Sequence, residues 1–287
     1  SSMASVYIPE RNLSQMRRIL WMNKDQKLLF FDIDGTLLTA YPWTIPDSTQ
    51  QALKAARKNG HLLFINSGRT YTMLPDMIRE MNFDGYVCGC GSQIYLHDKL
   101  LLSSSIPNPL CREIVERLRK SRLPACFERP DKILYDSSSC DLPDAIQKLK
   151  KVTITEDISL YTIQKYENFT FDKFLVFPTA ESDRQEFRKF ADQHFTCFVH
   201  EDAAWELAQK SHSKATGIQF LVDYLGASIE NTYAFGDSTN DLPMLKYAKT
   251  SIAMGNSNPL ILPYCTYQTT PIEEDGIANA LKHFHLI

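Results

Sequence analysis

The segment Leu28-Leu29-Phe30-Phe31-Asp32-Ile33-Asp34-Gly35-Thr36-Leu37-Leu38 constrains this chain more than any other. Four apolar residues run without a break into two carboxylates, then a glycine and a threonine. A short, unbroken apolar run reads as a strand buried on both faces, the pattern of a parallel sheet covered by helices. On an extended backbone residues two apart share a face, so Asp32 and Asp34 are expected to point the same way at the strand's exit. Two carboxylates that close repel one another unless a cation compensates them. Mg2+ prefers oxygen ligands of this kind.

The same pattern recurs along the chain. Asp47 or Ser48 suits an N-cap and Gly60 a C′ position, which predicts a helix between them. His61-Leu62-Leu63-Phe64-Ile65-Asn66 is a second apolar strand, running into Ser67-Gly68-Arg69-Thr70 and a helical stretch to about Asn82. Tyr86-Val87-Cys88 reads as a third strand. Strand, helix, strand, helix is the order of a parallel α/β sheet. From about Ser92 to Phe198 the texture changes to short strands and helices separated by Pro-, Ser- and Asp-rich loops, with no chemical motif. Strands are expected at Ile94–Leu96, Leu100–Ser103, Ala125–Glu128, Ile133–Tyr135, Lys173–Phe177 and Thr196–Val199. Helices are expected at Pro109–Ser121, Leu142–Lys150 and Ser182–His194. The α/β pattern then returns: Lys214 opens a helix closed by Gly226, and Thr232-Tyr233-Ala234-Phe235-Gly236-Asp237 is a strand ending in a carboxylate. A further strand at Ser251–Met254 and helical segments at Pro259–Tyr264 and Ile277–Phe284 follow. Asn12 to Met22 reads as a weakly amphipathic lead-in helix.

Composition excludes several alternatives. Of 287 residues, 44% are hydrophobic and 23% charged, with a net charge of −3, so neither a nucleic-acid nor a membrane-surface partner is indicated. No apolar stretch approaches a membrane span, and the N-terminus lacks the apolar run of a secretory signal, which together point to the cytoplasm. The seven cysteines (Cys88, Cys90, Cys111, Cys126, Cys140, Cys197 and Cys265) are odd in number and irregularly spaced. Neither a disulfide framework nor a zinc site is expected from them.

Three apolar strands therefore end in polar residues, at Asp32/Asp34, Ser67-Gly68 and Asp237. In an open parallel sheet ligands bind beyond the carboxyl ends of the strands. With Lys214, four segments distant in sequence are expected to meet in one crevice. Lys214 at a helix start opposes the macrodipole, so it is better placed to face an anion than to stabilise its helix.

These motifs resemble those of the haloacid dehalogenase (HAD) superfamily: D-x-D-G-T-L at Asp32–Leu37, Ser67-Gly68-Arg69 at a strand end, Lys214 opening a helix, and G-D-x-x-N-D at Gly236–Asp241. The insertion of roughly a hundred residues between the second and third motifs, with Ala253-Met254-Gly255-Asn256 after the fourth, resembles the Cof-type branch. The resemblance implies a doubly wound, Rossmann-like α/β core over residues 1–91 and 199–287, with a mobile α+β cap domain inserted at 92–198. It implies a Mg2+-dependent phosphatase acting on small phosphorylated metabolites, either sugar phosphates or phosphorylated cofactors, through an aspartyl-phosphate.

The family's roles fall on Asp32 as nucleophile, which splits one hard step into two, and Asp34 as general acid and then base. They fall on Asp32, the backbone carbonyl of Asp34, and Asp237 as Mg2+ ligands. Ile33, Ser67, Gly68, Lys214 and Asn240 would bind phosphate, and Asp241 would orient Lys214 or a metal-bound water. Read from the residues alone, Ser67 also suits a helix cap, Arg69 a surface ion pair or a phosphate contact, and Asn240 a local turn. One departure stands out: the branch usually has Asn-Gly-Ala where this chain has Cys90-Gly91-Ser92. A phosphomutase and a non-catalytic phosphorylated-ligand-binding protein are the alternatives. Oligomeric state is not legible.

Overall fold

The computed structural model describes residues 25–138, 141–200 and 203–287. The expected helix at Asn12 to Met22 lies outside these residues, as does Cys140. Among the described residues no helix is long and apolar enough to cross a membrane, and the six described cysteines are free thiols.

The apolar run forms β1 (Leu28–Phe31), with all four residues fully buried. Helix α1 (Asp47–Lys58) turns Thr49, Ala52, Leu53 and Ala56 inward. Gly60, at φ +89°, lies just past its end, the position where glycine alone adopts this conformation at no steric cost. After β2 (Leu62–Asn66) the expected helix to Asn82 is cut short, and α2 covers only Asp76–Arg79. Pro75 stands in front of it: a proline begins a helix but cannot lie inside one. β3 (Gly85–Cys88) and β4 (Gln93–Leu96) pair antiparallel across the turn Gly89–Gly91, and β5 (Lys99–Ser103) follows.

The chain continues through α3 (Asn108–Lys120), β6 (Ala125–Glu128), β7 (Ile133–Tyr135), α4 (Asp144–Val152), β8 (Thr155–Asp157) and α5 (Ile163–Glu167). Next come β9 (Lys173–Val176), α6 (Arg184–His194), β10 (Phe195–Val199) and β11 (Trp205–Gln209). Two of these strands carry little sequence signal. β8 is Thr155-Glu156-Asp157, wholly polar; it is held by parallel pairing with β7 and by Lys132 on Glu156, 2.5 Å away. β11 places Glu206 where an apolar residue is usual, because a buried lysine, Lys173, faces it. Helix α7 (Lys214–Leu225), β12 (Thr232–Gly236), α8 (Leu242–Tyr247), β13 (Thr250–Ala253), β14 (Tyr267–Gln268) and α9 (Gly276–His283) complete the chain.

Two sheets result. The larger has the order β14-β13-β12-β1-β2-β3-β4-β5, parallel from β14 to β3. Phe31 is level with Phe235 of β12 on one side and Ile65 of β2 on the other. Chain direction across the sheet reverses at β1, which makes its carboxyl end a topological switch point. One face packs Leu28, Phe30, Phe64 and Ala234 against Ile218, Leu221 and Val222 of α7. Phe31 stacks on Phe235 on the opposite face, ring centroids 4.5 Å apart. This is a doubly wound α/β sheet with helices on both faces.

The smaller sheet has the order β10-β11-β9-β6-β7-β8. Its core joins Phe127, Phe174, Leu207 and Val176 to Ile114, Leu118 and Phe187 of the flanking helices. The described chain divides into two compact units. One comprises residues to Gly68, Asp76–Leu102 and Ser213–Ile287; the other comprises Arg69–Pro75 and Ser103–His212. The divisions near 102 and 212 differ from the expected 92 and 198. β4 and β5 extend the larger sheet because the Gly89–Gly91 turn folds the chain back antiparallel onto β3, and β11 pairs with β9 and β10.

Candidate active site

Asp32 directly follows β1, its N–H donating to the carbonyl of Phe235 at 3.0 Å. Three N–H groups then converge on the carbonyl of Ile33: Thr36 at 3.2 Å, and Leu37 and Leu38 at 2.9 Å each. Gly35, at φ +82°, completes this turn. The strand thus ends at Phe31, and Asp32 and Asp34 lie on the tight turn that follows it. Asp32 is buried, whereas Asp34 is exposed on the turn.

Asp32, Asp237 and Asp241 offer carboxylate oxygens that lie within 4.8 Å of one another. The Asp34 carboxylate is outside this group of three. Lys214 Nζ donates to Asp32 Oδ1 at 2.8 Å and to Asp241 Oδ1 at 2.5 Å, and the lysine is almost wholly buried. Burial would lower its pKa, but Asp241 and Asp32 outweigh burial and keep it charged. Asp241 is occupied on both oxygens, since Oδ2 accepts the N–H groups of Asp237 at 2.9 Å and Ser238 at 3.0 Å. It therefore fixes both the turn after β12 and the ammonium.

Asp32 is pushed well above the usual carboxylate range, first by burial and then by Asp241, with Lys214 opposing. Asp237 is pushed up to about 7, again first by burial and then by Asp241. Ionised together, Asp32, Asp237 and Asp241 would carry more negative charge than Lys214 balances, and a divalent cation would offset it. With Asp241 engaged, Asp32 and Asp237 have oxygens suited to a hard cation, and the donor set fits Mg2+.

Ser67 and Gly68 are buried just beyond β2. The Ser67 N–H donates to Val87 O at 2.9 Å, and its carbonyl accepts from the Cys90 N–H at 3.2 Å. Among the described residues Ser67 is not followed by the long helix it was suited to cap; the next helical turn begins at Tyr71. Asn240 Oδ1 accepts from Ser238 Oγ at 2.6 Å, the local bond an Asx side chain favours.

Four residues with no expected role also belong to this site. Thr36 Oγ1 donates to Asp237 Oδ1 at 2.9 Å. Gly35 lies so close to Asp237 that a Cβ would stand 2.3 Å from its Oδ2. Asn256 Nδ2 donates to Gly35 O at 2.9 Å, bracing the turn from the loop after β13. Asn66 Nδ2 donates to the Lys214 carbonyl at 2.9 Å across 148 residues. Gly35, Thr36 and Asn256 sit inside the quoted motifs, which was their signal; Asn66 had none beyond its place at a strand end.

The haloacid dehalogenase-like hydrolase family profile matches residues 29–281. YkrA of Bacillus subtilis is 28% identical over 265 residues, covering 92% of this chain and 99% of its own. The pyridoxal phosphate phosphatase YbhA of Escherichia coli is 26% identical over 275 residues, covering 91% and 99%. The solved structure of the HAD subclass IIB sugar phosphatase BT4131 superposes with a TM-score of 0.77 at 27% identity, covering 91% of this chain and 100% of its own. With the family profile spanning the sheet, the carboxylate group and the lysine that crosses them, the chain belongs to the haloacid dehalogenase-like hydrolases.

Proposed function

We propose that this protein is a Mg2+-dependent phosphatase that hydrolyses small phosphate monoesters through an aspartyl-phosphate on Asp32. The observation that carries the reading is the clustering of Asp32, Asp237 and Asp241 at the carboxyl ends of β1 and β12, with the Lys214 ammonium bridging Asp32 and Asp241. The names of the relatives support it from a second direction.

In this reading an Asp32 carboxylate oxygen attacks phosphorus while the bond to the leaving oxygen breaks. Asp34, exposed two residues on, gives its proton to that oxygen. Water then attacks the aspartyl-phosphate, Asp34 takes the water's proton, and phosphate and the Asp32 carboxylate are released. Lys214, the N–H groups of Ile33 and Gly68, the Ser67 hydroxyl and the Asn240 amide hold the phosphate oxygens. Mg2+, held by Asp32, Asp237 and the Asp34 carbonyl, would neutralise charge on the phosphate. The second unit serves as the cap that selects the leaving group, and the substrate is a sugar phosphate or a phosphorylated cofactor.

The test is phosphate release from p-nitrophenyl phosphate and a panel of sugar and cofactor phosphates, with Mg2+, with EDTA, and with Asp32→Asn. Release that needs both Mg2+ and Asp32 is expected. Release that persists in Asp32→Asn would reject the aspartyl-phosphate route.

A further inference from the structure

Asn66 is fully buried at the last position of β2, one residue before Ser67. Its Nδ2 donates to the Lys214 carbonyl, while its Oδ1 is buried with no hydrogen-bond partner. A buried acceptor without a donor is destabilising, so the packing of a sheet interior gives no reason for an amide here. What the amide does is tie the end of β2 to the first residue of α7. The same helix start is gripped from a second side. Gly91, at φ +89°, passes so close beneath Ser213 that a Cβ would stand 2.2 Å from the Ser213 carbonyl oxygen. The turn that carries Gly91 is joined in its own right to β2, through Cys90 N–H on Ser67 O. Ser213 also caps α7, accepting the N–H groups of Ala215 and Thr216. The end of β2, the Gly89–Gly91 turn and the start of α7 therefore form one junction.

We infer that Asn66 is a positioning residue for Lys214: with Gly91 it holds the first turn of α7 where the ammonium reaches Asp32 and Asp241 together. The inference rests on the reading of Lys214 as the cation that faces the phosphate. A lysine whose backbone drifts loses one of two short contacts, at 2.8 and 2.5 Å, that it must hold at once. Misplacement of a charge by about 1 Å lowers turnover by roughly 100-fold. Asn66 itself touches no substrate; it acts only through Lys214.

The experiment is a double-mutant cycle on p-nitrophenyl phosphate hydrolysis with Mg2+, using wild type, Asn66→Ala, Lys214→Met and the double variant. Asn66→Ser runs in parallel in case the alanine variant fails to fold, and thermal unfolding is recorded for every protein. Asn66→Ala or Asn66→Ser is expected to lower kcat/KM roughly 10- to 100-fold in the wild-type background. It should lower it less than about threefold when Lys214 is already absent, because the two residues act as one unit. Inhibition by inorganic phosphate should weaken in parallel, in the wild-type background only. An equal fold-loss in both backgrounds, or no loss in either, overturns the inference. If wild type hydrolyses no ester, the phosphatase reading fails separately. The same cycle is then read from the thermal shift given by inorganic phosphate, with the same two outcomes.

Discussion

Gly35 has no room for a side chain. Its φ of +82° disfavours any L-residue, and a Cβ would overlap Asp237 Oδ2 at 2.3 Å. Gly35→Ala must therefore displace the one carboxylate that Thr36 holds in place. The expected result is a fall in kcat/KM of roughly 100-fold or more, with weaker Mg2+ binding by calorimetry. Unchanged Mg2+ affinity would show that the turn yields without moving Asp237. The same carboxylates set a pH dependence. Burial and Asp241 raise Asp32 and Asp237, the latter to about 7. A raised folded-state pKa means that the folded protein binds more protons than the unfolded chain, whose carboxylates titrate near about 4. Stability of the metal-free protein should thus fall as pH rises from about 4 to about 7. A divalent cation favours the ionised forms, so its stabilising effect should grow across the same window. Denaturant unfolding in EDTA and in Mg2+, at pH 5 and pH 8, checks this; equal stabilisation by Mg2+ at both values would count against it.

At the scale of elements, α7 places Lys214, the proposed phosphate-facing cation, at its first residue and packs against the sheet along its length. Gly217, one turn from Lys214, meets Val87 of β3: a Cβ there would stand 2.3 Å from Val87 Cγ1. Alanine in a helix interior is favoured over glycine by about 1 kcal/mol. Overpacking against a stiff, β-branched neighbour costs about 1–3 kcal/mol, so the steric effect wins. Gly217→Ala should lower stability in urea unfolding, and it should lower kcat/KM as well, because the helix that shifts is the one that presents Lys214. A stabilised variant with full activity would show that α7 has slack against the sheet. The sequence made this helix legible through Gly226, which closes it at φ +63°; the capping box of Ser213 with Thr216 at its start is a finding of the structure. β1, β2 and β12 were legible because they are apolar and buried on both faces. β14, two residues long, was not, since so short a segment shows no periodicity. Asp34 is exposed where Asp32 is buried because the strand ends at Phe31 and the turn on the Ile33 carbonyl carries Asp34.

The whole molecule repeats this division between what local pattern reveals and what only long-range pairing explains. The motifs at Asp32, Ser67, Lys214 and Asp237 lie at ends of elements, where a polar residue after an apolar run is conspicuous. Asn66, by contrast, matters through a bond to a residue 148 positions away, and no local pattern marks it. The second unit hides a similar case. Lys173 of β9 is buried between Glu128 of β6 and Glu206 of β11, with Nζ 2.8 and 2.7 Å from their oxygens. His200 Nε2 lies 2.9 Å from the other Glu206 oxygen. Burial alone would raise the Glu206 carboxyl, but Lys173 and His200 outweigh it and hold it well below the usual range. Glu128, where burial prevails over Lys173, lies above that range. Removing one partner of a buried pair costs about 3–5 kcal/mol, because the remaining charge is left uncompensated. Lys173→Met should therefore destabilise by about that amount near neutral pH. Both carboxyls would lose the cation that offsets their burial and would titrate higher than in wild type, so the variant's stability should fall relative to wild type as pH rises above about 4. Its deficit relative to wild type, where Glu206 is held low, should accordingly be larger at pH 7.5 than at pH 5. Denaturant unfolding at the two values measures this, and a deficit that grows on acidification would refute the assigned charge states. Because Asp32, Asp237 and Lys214 belong to the other unit, Mg2+ affinity should be unchanged in the folded variant. A weakened affinity would reveal that the cluster supports the metal site as well as its own sheet.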